Sequence, residues 1–196
     1  MVRLRHIWQN SWDAKKGMVM EKVSRVTMGL LLVMGSLFFV LQSTGSEVLA
    51  GGKDKILEFD TMIGVPRPFT GSGHAIRGVN GGGLPWVIYK AKGELKVNGD
   101  IEIDVEGLVF DPDDPVVIER GLAGINTVPN FKAIVSCLSI NGSGEAVTVN
   151  VETGLFPADA QGNAEIEDTV NLPDPCIAPI IFVTSPGGAW FAATGF

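Results

Sequence analysis

The chain has 196 residues and a formal net charge of −7, with 15 Lys/Arg against 22 Asp/Glu. That charge is unevenly spread: residues 1–50 carry six Lys/Arg and three Asp/Glu, while residues 51–196 carry nine and nineteen. The acidic remainder argues against a nucleic-acid partner, because affinity for phosphates comes mainly from Lys and Arg, and it is long enough to bury a core without help from a metal.

The basic leader has the layout of an export signal. Lys15, Lys16, Lys22 and Arg25 precede an uncharged apolar run over residues 26–41, and polar Gln42 to Ser46 follow, then Val48-Leu49-Ala50. Small or compact residues at the last positions predict cleavage between Ala50 and Gly51. An uncleaved anchor is the alternative, since the run is close to the roughly 20 apolar residues that a membrane span needs. In that case residues 26–41 are the chain's only membrane contact. Residues 51–196 then form one exported domain.

Past Gly51, apolar residues recur with period two rather than at helical spacing, and Gly, Pro, Asn or Asp bounds each run. The predicted strands are Ile56–Ile63, Trp86–Lys90, a hairpin over Leu95–Glu106, Lys132–Ile140, Ala146–Thr153, Ala164–Leu172, Ile177–Thr184 and Ala189–Thr194. In the hairpin, a two-residue Asn98-Gly99 loop sets Val97 opposite Asp100 and mixes apolar with charged groups on one face. A three-residue Val97-Asn98-Gly99 loop, with Gly99 left-handed, instead puts Leu95 opposite Ile101. Between Asp114 and Gly121 the order acid, Pro115, closing glycine predicts one or two helical turns. About nine short strands joined by Gly/Pro loops predict an all-β fold, a two-sheet antiparallel β-sandwich of immunoglobulin-like size, preceded by the hydrophobic export helix.

Cys137 and Cys176 are the only cysteines, 39 positions apart, each in or beside a strand-like run. In an exported domain they are expected to form a disulfide.

Most catalytic machinery fails on counting. His74 is the only histidine after Gly51, which excludes metal sites built on two His ligands of one chain, and it lies in a Gly/Ser turn. Gly78–Gly83 runs into a strand, so no helix N-terminus follows to hold a phosphate, and it reads as a flexible loop. Asp111, Asp113 and Asp114 are weak calcium candidates, because clustered carboxylates supply the oxygens that Ca²⁺ takes, although the EF-hand spacing fails. Glu102, Asp104 and Glu106 project from one strand face at steps of about 6.6 Å, a spacing compatible with a carboxylate-based hydrolase, although three acids on a solvent-facing strand are far more often simply solvated. Trp86, Tyr89 and Trp190 are candidates for stacking a sugar; the ordinary alternative for the two tryptophans is the core.

Segments 59–65, 76–87, 129–138 and 175–195 resemble a group of small exported bacterial proteins to which no activity is attached. The resemblance covers about Phe59 to Gly195 and implies a free-standing exported unit whose two cysteines lie in its most distinctive segments. It supplies no site residue. The resulting expectation is a secreted or cell-surface protein without catalysis or cofactor, acting by binding or as an envelope component. The alternatives are an extracellular carbohydrate-binding module, with or without calcium, and a carboxylate hydrolase.

Overall fold

The computed structural model describes residues 54–195; the predicted export segment lies outside them. The described chain is almost entirely antiparallel β. In chain order its elements are β1 (Lys55–Phe59), β2 (Ile63–Gly64), β3 (Trp86–Val87), β4 (Lys90–Lys96), β5 (Asp100–Glu106), β6 (Val109–Phe110), α1 (Pro115–Glu119), β7 (Asn130–Ile140), β8 (Ala146–Glu152), β9 (Phe156–Pro157), β10 (Ala164–Thr169), β11 (Ile177–Thr184) and β12 (Trp190–Ala193). A four-stranded sheet runs β1-β4-β5-β10 and packs, sandwich fashion, on a second sheet running β2-β12-β11-β7-β8, with β9 also on β7; β3 and β6 form a small third ladder.

Alternation explains the inner faces. Ala91, Leu95, Ile101, Ile103, Val105 and Ile166 of the four-stranded sheet are buried, and the acids and lysines between them point outward. From the other sheet, Phe131, Ala133, Val135 and Cys137 fill the same core. Three aromatic contacts extend it: Phe191 stacks on Trp86 at 4.0 Å, Trp86 meets Phe110 at 4.2 Å, and Phe131 meets Phe191 edge-on at 5.9 Å.

The hairpin register follows the hydrophobic match. Leu95 pairs with Ile101, Gly99 is left-handed at φ +90°, and its N–H donates to the Lys96 carbonyl at 3.0 Å. The short helix also forms as read, with Asp114 as its N-cap and Pro115 opening it.

Two predicted strands divide. The run expected over Ile56–Ile63 ends at Phe59 and restarts at Ile63 in the other sheet, so the chain changes layers between Asp60 and Met62. Gly64 permits the crossing, since a Cβ there would stand 2.1 Å from the Trp86 carbonyl oxygen. The run expected over Trp86–Lys90 likewise divides into β3 and the start of β4. Two-residue strands carry no periodicity, which is why twelve strands form where nine were expected.

Cys137 and Cys176 are joined by a disulfide. It ties the centre of β7 to the entry of β11, next to the Leu138–Ile177 pair. Closing a loop of 39 residues restricts the unfolded chain by roughly 4 kcal/mol. Reduction, or Cys176→Ser, is therefore expected to lower the unfolding free energy by an amount of that order, measured by denaturant titration with and without reductant.

Candidate interaction surfaces

The solvent face of the four-stranded sheet gathers the predicted carboxylates. Pairing of β1 with β4, β4 with β5 and β5 with β10 sets Glu58, Glu94, Glu102 and Glu167 in one row across all four strands. The next row holds Lys92, Asp104 and Glu165, and Glu106 lies opposite Lys90. The glutamate row with Lys92, Asp104 and Glu165 lines an open depression of about 670 Å³ that also reaches Phe59, Asp60 and Gly93.

Like charges directly opposite one another destabilise a sheet, and cations partly offset them here. Lys55 and Lys96 both donate to Glu94, at 2.6 and 3.0 Å, and Lys92 meets Asp104 at 2.7 Å. Lys55 and Lys96 hold the Glu94 carboxyl below its ordinary value, the direction opposite to what a general acid needs. Glu102, Asp104 and Glu106 thus face both acids and lysines, on a surface rather than in a closed cleft. Among the described residues no group of three or more His, Cys, Asp or Glu is placed to hold a metal ion.

The predicted calcium ligands have other partners. Asp114 is 8% exposed. Its Oδ1 accepts from the N–H groups of Val116 and Val117, and Arg67 grips both oxygens, with Nε 2.7 Å from Oδ2 and Nη2 3.0 Å from Oδ1. The Arg67 guanidinium, with those two backbone donors, pulls the Asp114 carboxyl down to about 2. Asp111 turns back to accept from the Asp113 N–H at 2.9 Å. This acid run is therefore a helix cap locked by a distant arginine. Nothing local in the sequence marks Arg67, 47 positions away, as the partner.

The aromatic candidates are not brought together. Trp86 is 2% exposed and Trp190 fully buried, while Tyr89 stands 84% exposed. The two tryptophans are therefore core residues, their rings covered by other side chains and out of reach of a sugar at the surface. His74 is exposed in its turn, with Phe69 edge-on at 5.9 Å.

A second surface was not foreseen. On β7, the face opposite Val135 and Cys137 carries Lys132, Ile134 and Ser136, which are also buried, so the β-sheet needs an outer cover. Residues 65–85 provide it. Their Asn80 carbonyl accepts from Trp190 N–H at 2.8 Å, and Gly82 N–H donates to the Trp190 carbonyl at 2.8 Å. Two of the glycines expected in a flexible loop are packed instead: a Cβ on Gly81 would lie 2.0 Å from the Phe69 carbonyl oxygen, and one on Gly82 3.0 Å from the Phe191 ring, whereas Gly83 has open space around it.

Within this cover, Ile76 and Val79 close a tight hairpin with Arg77 and Gly78 at its tip, both left-handed. The Arg77 guanidinium then donates to two carbonyls, of Ser136 on β7 and of Ala178 on β11, each at 2.8 Å. Ala178 is itself left-handed at φ +46°, within the irregularity that interrupts pairing between Ile177 and Ile180. Arg77 thus satisfies carbonyls where the β7–β11 ladder is broken, close to the disulfide. Past this clamp the cover stops, leaving Leu138, Ile140 and Ile177 as an exposed apolar group.

The fold defines the class of the molecule as a disulfide-linked antiparallel β-sandwich. No family model, curated protein or solved structure matches the chain.

Two outcomes follow from the charges. A carboxyl at about 2 when folded and 3.8 when unfolded contributes stability that is complete above pH 3.8 and fades as pH falls towards 2. Asp114→Asn is expected to lower the melting temperature at pH 7 by about 2–4 °C, with the gap to the parent closing by pH 2, followed by circular dichroism. Glu167→Lys places a cation opposite Glu102. It is expected to raise the melting temperature in dilute buffer, with the gain shrinking in about 1 M salt.

Proposed function

We propose that the protein is exported and works outside the cytoplasm as a secreted or surface-held sandwich, acting by binding or as an envelope component rather than by catalysis. The observation that carries this reading is the Cys137–Cys176 disulfide between β7 and the entry of β11. Such a bridge persists in an oxidising compartment and is rare where thiols are kept reduced. The basic and apolar leader that precedes Gly51 agrees with it.

The groups that suggested chemistry have structural duties that support the non-catalytic reading. Asp114 caps α1 and pairs with Arg67, Lys92 is paired with Asp104, and Trp86 and Trp190 fill the interior. The exposed Leu138, Ile140 and Ile177 are the apolar contact area such a binding domain offers.

The test is compartment and N-terminus together. With a C-terminal tag on the full chain, the protein is expected outside the cytoplasm, beginning at Gly51, with no thiol titratable before reduction. Recovery in the cytoplasm with both cysteines reduced overturns the reading.

A further inference from the structure

A β-sheet edge presents unpaired backbone groups, and most proteins blunt it with charge, proline or shortness. Three of the four edges of this sandwich are blunted. β10 carries Glu165, Glu167 and Asp168, β1 is five residues long with Lys55 and Glu58, and β2 has only two residues. β8 differs: its sequence AVTVNVE runs for seven residues with no proline, no glycine and a single charge, at its end.

The outward groups of β8 can be assigned. Thr153 N–H donates to the Ala133 carbonyl and Asn141 N–H to the Glu145 carbonyl, so in the ladder with β7 the odd-numbered residues turn their backbone groups inward. Ala146, Thr148, Asn150 and Glu152 therefore direct N–H and C=O away from β7. None of these groups has a backbone partner among the described residues.

We infer that β8 pairs with β8 of a second copy of this chain, antiparallel about a two-fold axis through Val149, joining two sandwiches into one continuous sheet. The sequence is self-complementary in that register. Ala146 meets Glu152 and Thr148 meets Asn150, with no like charges opposed, and the four pairs can exchange about eight hydrogen bonds. On the interior face Val149 meets Val149, and Val147 meets Val151, in the closely spaced positions. These three valines are only half-buried in one copy, so their partners cover them.

The remaining geometry permits the contact. β10 lies against β7 and β9, so β8 extends beyond the edge of the four-stranded sheet. Three strand spacings then separate the two acidic β10 edges, about 14 Å, which exceeds the screening length at physiological salt. With one open edge per copy among the described residues, the pairing is isologous and stops at two.

The experiment is sedimentation equilibrium at 0.15 M salt on the full chain purified from the producing cell, whatever has become of residues 1–50. The parent is expected to sediment at about twice the mass of one copy. Asn150 also donates to the Arg77 carbonyl at 3.0 Å, so Asn150→Ala, expected to keep the double mass, is the control for losing that bond. Thr148→Lys with Asn150→Lys opposes lysine to lysine at both central pairs, on exposed positions. It is expected to sediment at the mass of one copy with an unchanged circular dichroism spectrum. Thr148→Glu with Asn150→Glu does likewise, and mixing the two variants restores the double mass. A parent of single mass, open-ended polymers, or a dimer that survives both double substitutions overturns the inference.

Discussion

Burying β7 on both faces sets the terms for the rest of the molecule. Phe131, Ala133, Val135 and Cys137 point into the core, and Lys132, Ile134 and Ser136 on the other side are buried as well. A sheet in a two-layer sandwich ordinarily leaves one face to solvent, so this strand needs an additional layer. Residues 65–85 supply it through hydrogen bonds to Trp190 and the Arg77 clamp. Gly81 and Gly82 there answer to close approach, because a Cβ would run into the Phe69 carbonyl oxygen and the Phe191 ring.

That layer also explains where the disulfide falls. Pairing between β11 and β7 is interrupted between Ile177 and Ile180, leaving carbonyls that a regular ladder would have satisfied. Arg77 takes up two of them, and the Cys137–Cys176 bridge holds the strands together where backbone pairing is weakest. A charged donor and a covalent bond thus stand in for missing ladder bonds.

Electrostatics divides the surface in a complementary way. The four-stranded sheet bears a row of four glutamates partly offset by Lys55 and Lys96, with Lys92 paired to Asp104 in the next row, and it resists pairing with another chain by repulsion. The other sheet has few charges towards β8 and leaves Leu138, Ile140 and Ile177 in solvent. One molecule therefore has a closed, acidic side and an associating, apolar side.

Much of this was legible in the residues. Period-two alternation gave the long strands, the apolar match of Leu95 with Ile101 chose the hairpin loop, and Asp114-Pro115 marked the helix start, because these are local rules of side-chain direction and backbone geometry. Carboxylates at alternate positions of β5 were correctly placed on one face, but their glutamate row needed strands from elsewhere in the chain. The short strands β2, β3, β6 and β9 were illegible for want of a period. The partners of Arg67 and Arg77 were equally beyond local pattern, since each depends on residues tens of positions away, whereas the core placement of Trp86 and Trp190 is the ordinary reading of such residues and holds. The sequence by itself determined an acidic β domain with alternating faces and two cysteines suited to a bridge. Only the tertiary structure decided that residues 65–85 cover β7, that Asp114 belongs to Arg67, and that β8 is left as the open edge, because each is a matter of which distant segment comes to lie against which.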